Sequence, residues 1–217
     1  MLAKIAGALG QVAGQVTEAG GTIVGIRHGT EEPPFTVSRR VGEVEIRNYG
    51  PRMAAETTID ADEEAARNEG FRRLARYIFG GNTGSTKIAM TAPVAQQRGE
   101  KIAMTAPVAA QRDAGGGWMI RFFMPVEHTL ETLPTPNDER VRLVEVPPET
   151  VAVLRFSGVA SPKAVATRTE ELLADLRAAG IEPDGDPVTW FYDPPWTIPF
   201  RRRNEVAVTV DGSAAAG

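Results

Sequence analysis

Val151-Ala-Val-Leu-Arg-Phe156, then Ser161-Pro162, then Val165, Thr169, Leu172, Leu173 and Leu176 form the stretch that decides the fold. The first six residues alternate in the period of two that a half-buried strand requires. Ser161 supplies a side-chain oxygen to cap a helix, and Pro162 occupies a first helical position, where a missing N–H costs nothing. The apolar residues that follow recur every three to four positions and so share one helix face, and Gly180 stops the run. A strand leading directly into a one-sided helix must bury both against a common core.

The pattern extends in both directions. Upstream, Val141 to Val146 reads as a strand ended by Pro147-Pro148; downstream, Val188 to Tyr192 and Glu205 to Val210 read as strands. The same order occurs earlier in the chain. Phe35 to Arg40 and Glu43 to Tyr49 alternate around Val41-Gly42 as a hairpin, and Met53 to Ile59 resumes as a strand after Pro51. Asp60-Ala-Asp-Glu-Glu64 then places acids at a helix start, where they complement the dipole. Phe71, Leu74, Ala75 and Ile78 give that helix its apolar face, Gly80-Gly81 ends it, and Trp118 to Met124 follows as a strand. The expected class is α+β: a distorted antiparallel β-barrel with two flanking helices, built as two similar strand–helix–strand halves.

Composition narrows the function. The 217 residues contain no cysteine and only two histidines, His28 and His128, so thiolate chemistry, cysteine-ligated metal and a cluster of imidazoles are excluded. The net charge of −4 speaks against a nucleic-acid partner, which selects a basic surplus. No GxGxxG or phosphate-binding loop occurs. Glu63-Glu64 and Glu170-Glu171 are adjacent on helices, where neighbours diverge, and read as solvated faces rather than catalytic carboxylate pairs. No enzyme is expected, and no metal site.

Residues 1–33 read as an amphipathic helix and linker, 34–211 as the domain, and 212–217 as a flexible tail. Leu2, Ile5, Leu9, Val12 and Val16 form one helical stripe, far short of a membrane span and without a secretory cleavage pattern. The expected location is cytoplasmic, with residues 2–17 available for contact with a membrane surface. Oligomeric state is not legible. Lys87-Ile-Ala-Met-Thr-Ala-Pro-Val94 returns as Lys101-Ile-Ala-Met-Thr-Ala-Pro-Val108, with eleven of fourteen positions identical from Lys87 onward. Each copy carries a proline that limits ladder pairing, so one copy at most is expected in a central strand. Met90 and Met104 read as core fillers, with thioether ligation as the alternative.

Taken in order, Val44-Glu-Ile-Arg-Asn-Tyr-Gly-Pro51, Gly80-Gly81-Asn82, Lys87 to Val94, Val153-Leu-Arg-Phe-Ser-Gly158, Tyr192-Asp-Pro-Pro195 and Arg202-Arg-Asn-Glu-Val206 resemble the SOUL family of haem-binding proteins. The resemblance covers Phe35 to Val210 and implies a distorted antiparallel barrel with two helices. The family carries one KIxMTxPV segment, and its spacing from Gly80-Gly81-Asn82 fits Lys87 to Val94, which leaves Lys101 to Val108 as the expected insertion. The resemblance also implies non-covalent binding of haem or another tetrapyrrole between the first helix and the YDPP loop. Carried over residue by residue, it points to Asn68, Phe71, Ala75 and Tyr192. Some members have a histidine where this chain has Asn48, so binding without that ligand is implied here.

The residues themselves agree with such a pocket. Haem is a flat apolar plate with two carboxylates, and it needs an apolar slot and cations. Trp190, Phe191, Tyr192, Trp196 and Phe200 concentrate five aromatics in eleven positions, and Arg72 and Arg76 lie on the helix that carries Phe71. The expected haem-binding set is therefore Asn68, Phe71, Ala75, Tyr192, Trp196, Arg72 and Arg76. The alternatives are a module for another hydrophobic ligand and a protein-interaction role.

Overall fold

A computed structural model describes residues 31–84, 101–113, 115–193 and 197–213. The expected N-terminal helix, the repeat copy at Lys87 to Val94, Trp196 and the last tail residues lie outside these.

Among the described residues, nine strands form one antiparallel sheet curled into a half-barrel, and two helices pack on its outer face. The strands are β1 (Phe35–Val41), β2 (Val44–Tyr49), β3 (Arg52–Ile59), β4 (Asn82–Thr83), β5 (Val108–Arg112), β6 (Trp118–Phe123), β7 (Thr135–Pro136), β8 (Arg142–Val146), β9 (Glu149–Phe156), β10 (Val188–Phe191) and β11 (Asn204–Val210). The helices are α1 (Glu63–Ile78) and α2 (Pro162–Ala178). The sheet order is β1-β2-β9-β11-β10-β5-β6-β3-β8, and β4 and β7 pair separately.

That order has an internal two-fold. β3, α1, β5 and β6 occupy in one half the places that β9, α2, β10 and β11 occupy in the other, and β5 meets β10 at the centre. The outermost strands are exchanged. β2 precedes β3 in the chain but pairs with β9, whereas β8 precedes β9 but pairs with β3. Gly50-Pro51 and Pro147-Pro148 make these crossings, since proline cannot donate to a continuing ladder. The two-half α+β reading of the sequence holds.

Local chemistry sets the boundaries. Gly42 turns the β1–β2 hairpin at φ +58°, a region that favours glycine. Asp62 accepts a hydrogen bond from the Ala65 N–H at 3.0 Å at the start of α1, and Ser161 accepts one from the Ala164 N–H at 3.2 Å at the start of α2. α1 lies against β3 and β6 at close range: a Cβ on Gly70 would stand 2.4 Å from Ile120 Cγ1. Leu74, Tyr77 and Ile78 bury against Ile120, Phe122 and Ala110, while Leu172 and Leu176 of α2 bury against Ile46, Leu154 and Val206. The opposite face of the sheet carries Tyr49, Ala54, Phe123, Val151, Val153, Trp190 and Ala207. No described helix is long and apolar enough to cross a membrane.

One expectation is corrected. The second repeat copy, expected as the insertion, enters the sheet: Ile102, Thr105 and Ala106 are buried, and Val108 begins β5 between β10 and β6. The family's spacing pointed to the first copy, but burial at position 110 favours the second. Ala110 is 1% exposed in the α1 core, and its counterpart in the first copy is Gln96.

Candidate functional site

α1 presents two flanks beside its buried face. On one, Arg67, Phe71 and Ala75 follow one another at intervals of four and therefore line up. Phe71 is half-buried and meets Phe122 edge-on, with ring centroids 5.3 Å apart. The Arg67 guanidinium lies over the Phe191 ring, 4.7 Å from its centroid. Phe71, Ala75 and Phe191, each half-buried, pack against the same core cluster. Asn68 and Arg72 are exposed further round the helix. Arg76 belongs to the other flank. It lines an open cleft of about 590 Å³ with Arg73, Tyr77, Asp138 and Arg140. There Arg140 grips Asp138 through Nε and Nη2, both at 2.8 Å, and holds its carboxyl down at about 2.

Tyr192 does not join the α1 flank. Strand alternation sends Trp190 and Tyr192 to the inner face and Phe191 to the helix side. The expected set therefore divides three ways: Phe71 and Ala75 on the Arg67 flank of α1 with exposed Asn68 and Arg72 beyond them, Arg76 in the cleft, and Tyr192 inside.

The inner face holds a chain of buried charges. Glu205 is fully buried. It accepts from Arg47 at 2.9 and 3.1 Å, from Arg203 at 2.9 and 2.8 Å, and from the Tyr192 hydroxyl at 2.6 Å. Arg47 also reaches Glu45, and Arg203 reaches Glu32 at 3.0 Å while stacking over Tyr192 at 3.8 Å. Arg52 lies between the rings of Tyr49 and Phe123 and donates to Glu149. Glu56 takes Arg121 and Arg142.

Burial alone would raise the Glu205 pKa, but the Arg47 bonds and charge, followed by those of Arg203, bring it below the usual carboxylate value. Burial, reinforced by the Glu205 carboxylate, pushes the Tyr192 phenol well up. Burial likewise raises Tyr49, against the pull of Arg47. These tyrosines stay protonated, and Tyr192 serves as a donor. The space left between Pro33, Phe35, Tyr49, Phe123 and Trp190, about 210 Å³ of crevices, is too narrow for a water molecule.

Arg67 escaped the sequence reading, as did the Glu205 network; Phe191 was read within the aromatic run but not in the expected set. A signal existed for the network. Glu45 and Arg47, like Arg203 and Glu205, stand two apart in strands and so share a face. A carboxylate amid Val206, Ala207 and Val208 needs a cation beside it.

Candidate iron ligands are scattered. Asn48 shares the strand face of Val44 and Ile46, toward α2, and its Oδ1 accepts from Thr150 Oγ1 at 3.0 Å. His128 sits beside Glu127 at 3.9 Å in a loop. Among the described residues no three His, Cys, Asp or Glu side chains converge as a metal site.

The class defined by this architecture is a two-fold α+β half-barrel flanked by two helices. It is similar to the C-terminal domain of EcmrR, with a TM-score of 0.56 at 10% identity over 77% of this chain and 96% of that one. EcmrR in its DNA complex gives a TM-score of 0.55 at 10% identity over 77% of this chain and 57% of that one. These likenesses show the fold alone. A family model described as SOUL heme-binding protein matches residues 30–209, and the chain belongs to that family. It is 40% identical over 62 residues to Heme-binding protein 2 of Homo sapiens and 39% identical over 62 residues to that of Mus musculus. Each match covers 28% of this chain and 30% of the relative's length.

Proposed function

We propose that this protein binds haem or a related tetrapyrrole, without catalysing a reaction, in the groove between α1 and the Phe191 end of β10. The observation that carries this is the set of cations on α1. Among the described residues, Arg67 and Arg72 on that side of α1 make no ion pair, whereas Arg47, Arg52, Arg121, Arg142 and Arg203 are all committed to carboxylates. A planar ligand with two carboxylates finds an apolar wall in Phe71, Ala75 and Phe191, with uncommitted guanidinium groups at its margin. The inner face is closed to a macrocycle by its own aromatic rings and ion pairs. Tyr192 is then a positioning residue that ties the start of the YDPP loop to Glu205, and Asn68 lies at the outer edge of the groove.

Among the described residues, Arg67, Phe71, Ala75 and Phe191 supply no imidazole or thioether, so the proposed affinity rests on apolar contact and charge pairing, which suits reversible carriage or buffering. Haemin titrated into the protein should give a saturable Soret change at one equivalent. Phe71→Ala or Arg67→Ala should weaken binding by about 5–30-fold, the loss of one aromatic or charged contact. Iron-free protoporphyrin should bind within about threefold of haemin, because the flank offers no iron ligand. Asn48→His should leave the band unchanged, since position 48 faces the other half. A sharpened, shifted band in that variant would move the site to β2, and no saturable change in the wild type would overturn the proposal.

A further inference from the structure

The duplicated segment is not absorbed by the groove, and its chemistry can be compared position by position. In the strand position filled by the second copy, the Ile102 N–H donates to the Ile78 carbonyl at 2.8 Å and the Ala106 N–H to the Glu31 carbonyl at 2.9 Å. The Thr105 hydroxyl donates to the Phe123 carbonyl. Val108 lies between Phe191 and Phe122, and Ala109 between Trp190 and Arg121. Every residue from Lys101 to Ala109 recurs unchanged in Lys87 to Ala95, so none of these interactions distinguishes the copies. Gln111 and Arg112 recur as Gln97 and Arg98, including the guanidinium that lies over Trp118 at 4.9 Å.

Position 110 breaks the identity within the strand. Ala110 is 1% exposed in the core with Leu74, Ile120 and Phe122, where Gln96 would bury a carboxamide among hydrocarbon. The connections do not choose. Exchanging copies replaces loops of 17 and 5 residues (84–100 and 113–117) by loops of 3 and 19 (84–86 and 99–117). Closure entropy grows only as the logarithm of length, so the totals nearly cancel.

We infer that the central position between β6 and β10 is one for which two segments of this chain compete, and that Ala110 against Gln96 keeps the second copy in it. The two registers differ in where they put fourteen residues. With the second copy paired, they precede β5 in the chain. With the first copy paired, they lie in the β5–β6 turn.

Hydrogen exchange with mass spectrometry tests this on the full chain. The wild type should show slow amides over Ala106–Arg112. Ala110→Gln should melt about 5–10 °C lower, as a buried polar substitution does in a domain of this size. The double variant Gln96→Ala/Ala110→Gln should recover a melting temperature within about 3 °C of wild type, with the slow amides now over Ala92–Arg98. If the double variant melts as low as Ala110→Gln, or its slow amides remain at 106–112, the inference is overturned. A chain lacking residues 101–114 and carrying Gln96→Ala retains one copy and should melt cooperatively near the wild-type temperature. Loss of cooperative melting there overturns it equally.

Discussion

Glu205→Gln is the substitution that most directly tests the inner-face network. The carboxylate is fully buried and accepts five hydrogen bonds, four of them from Arg47 and Arg203. A glutamine leaves one acceptor oxygen and turns an NH2 group toward guanidinium. Removing one partner of a buried pair costs about 3–5 kcal/mol, because the remaining charge is left without compensation. Arg47 keeps Glu45 and Arg203 keeps Glu32, so the lower end applies. About 3 kcal/mol corresponds to a melting temperature lower by about 6–12 °C in a domain of this size. The pH dependence has a fixed sign. The folded pKa of Glu205 lies below its ordinary 4.5, so the stability it contributes is complete above that value and is lost as pH falls through the folded value. The gap between wild type and variant should therefore be constant from about pH 8 to pH 5 and close below about pH 4. Calorimetric melts across that range measure it. A drop under about 2 °C at pH 7, or a gap that widens on acidification, would refute the argument.

Three further substitutions separate competing effects. Gly70→Ala should gain about 1 kcal/mol by helix propensity alone, but its Cβ meets Ile120 Cγ1 at 2.4 Å, so a net loss of about 1–3 kcal/mol is expected in a thermal melt. Ser161→Ala removes the cap of α2 and should cost about 1 kcal/mol by urea titration. Tyr192→Phe removes a donor from buried Glu205 and should cost about 1–2 kcal/mol while changing haemin affinity less than Phe71→Ala does; equal effects on affinity would make Tyr192 a contact rather than a positioning residue.

The fold was legible because its signals are local. Ser161-Pro162, Asp62 and the proline crossings at Pro51 and Pro147-Pro148 act over a few residues, and strand periodicity marks each ladder member. What escaped depends on parity and on distance. The aromatic run from Trp190 was correctly seen as dense, but alternation splits it, sending Phe191 to the groove and its two neighbours inside. Arg47 and Glu205 are 158 positions apart, and no local pattern joins them. The repeat misled because nine identical residues leave a single buried position to decide.

The division of arginines between the two faces is the step that links fold to function. A buried guanidinium must be neutralised, so Arg47, Arg52 and Arg203 on the inner face are each tied to an acid, and that surface is occupied by ion pairs as well as by packed rings. A guanidinium on a helix flank is under no such requirement. It stays solvated and available to an incoming anion, and Arg67 is in addition held flat over Phe191. α1 thus sets Arg67 over the Phe191 ring of β10 and beside its own Phe71. The proposed ligand, an amphiphilic ring with acidic substituents, would use both at once.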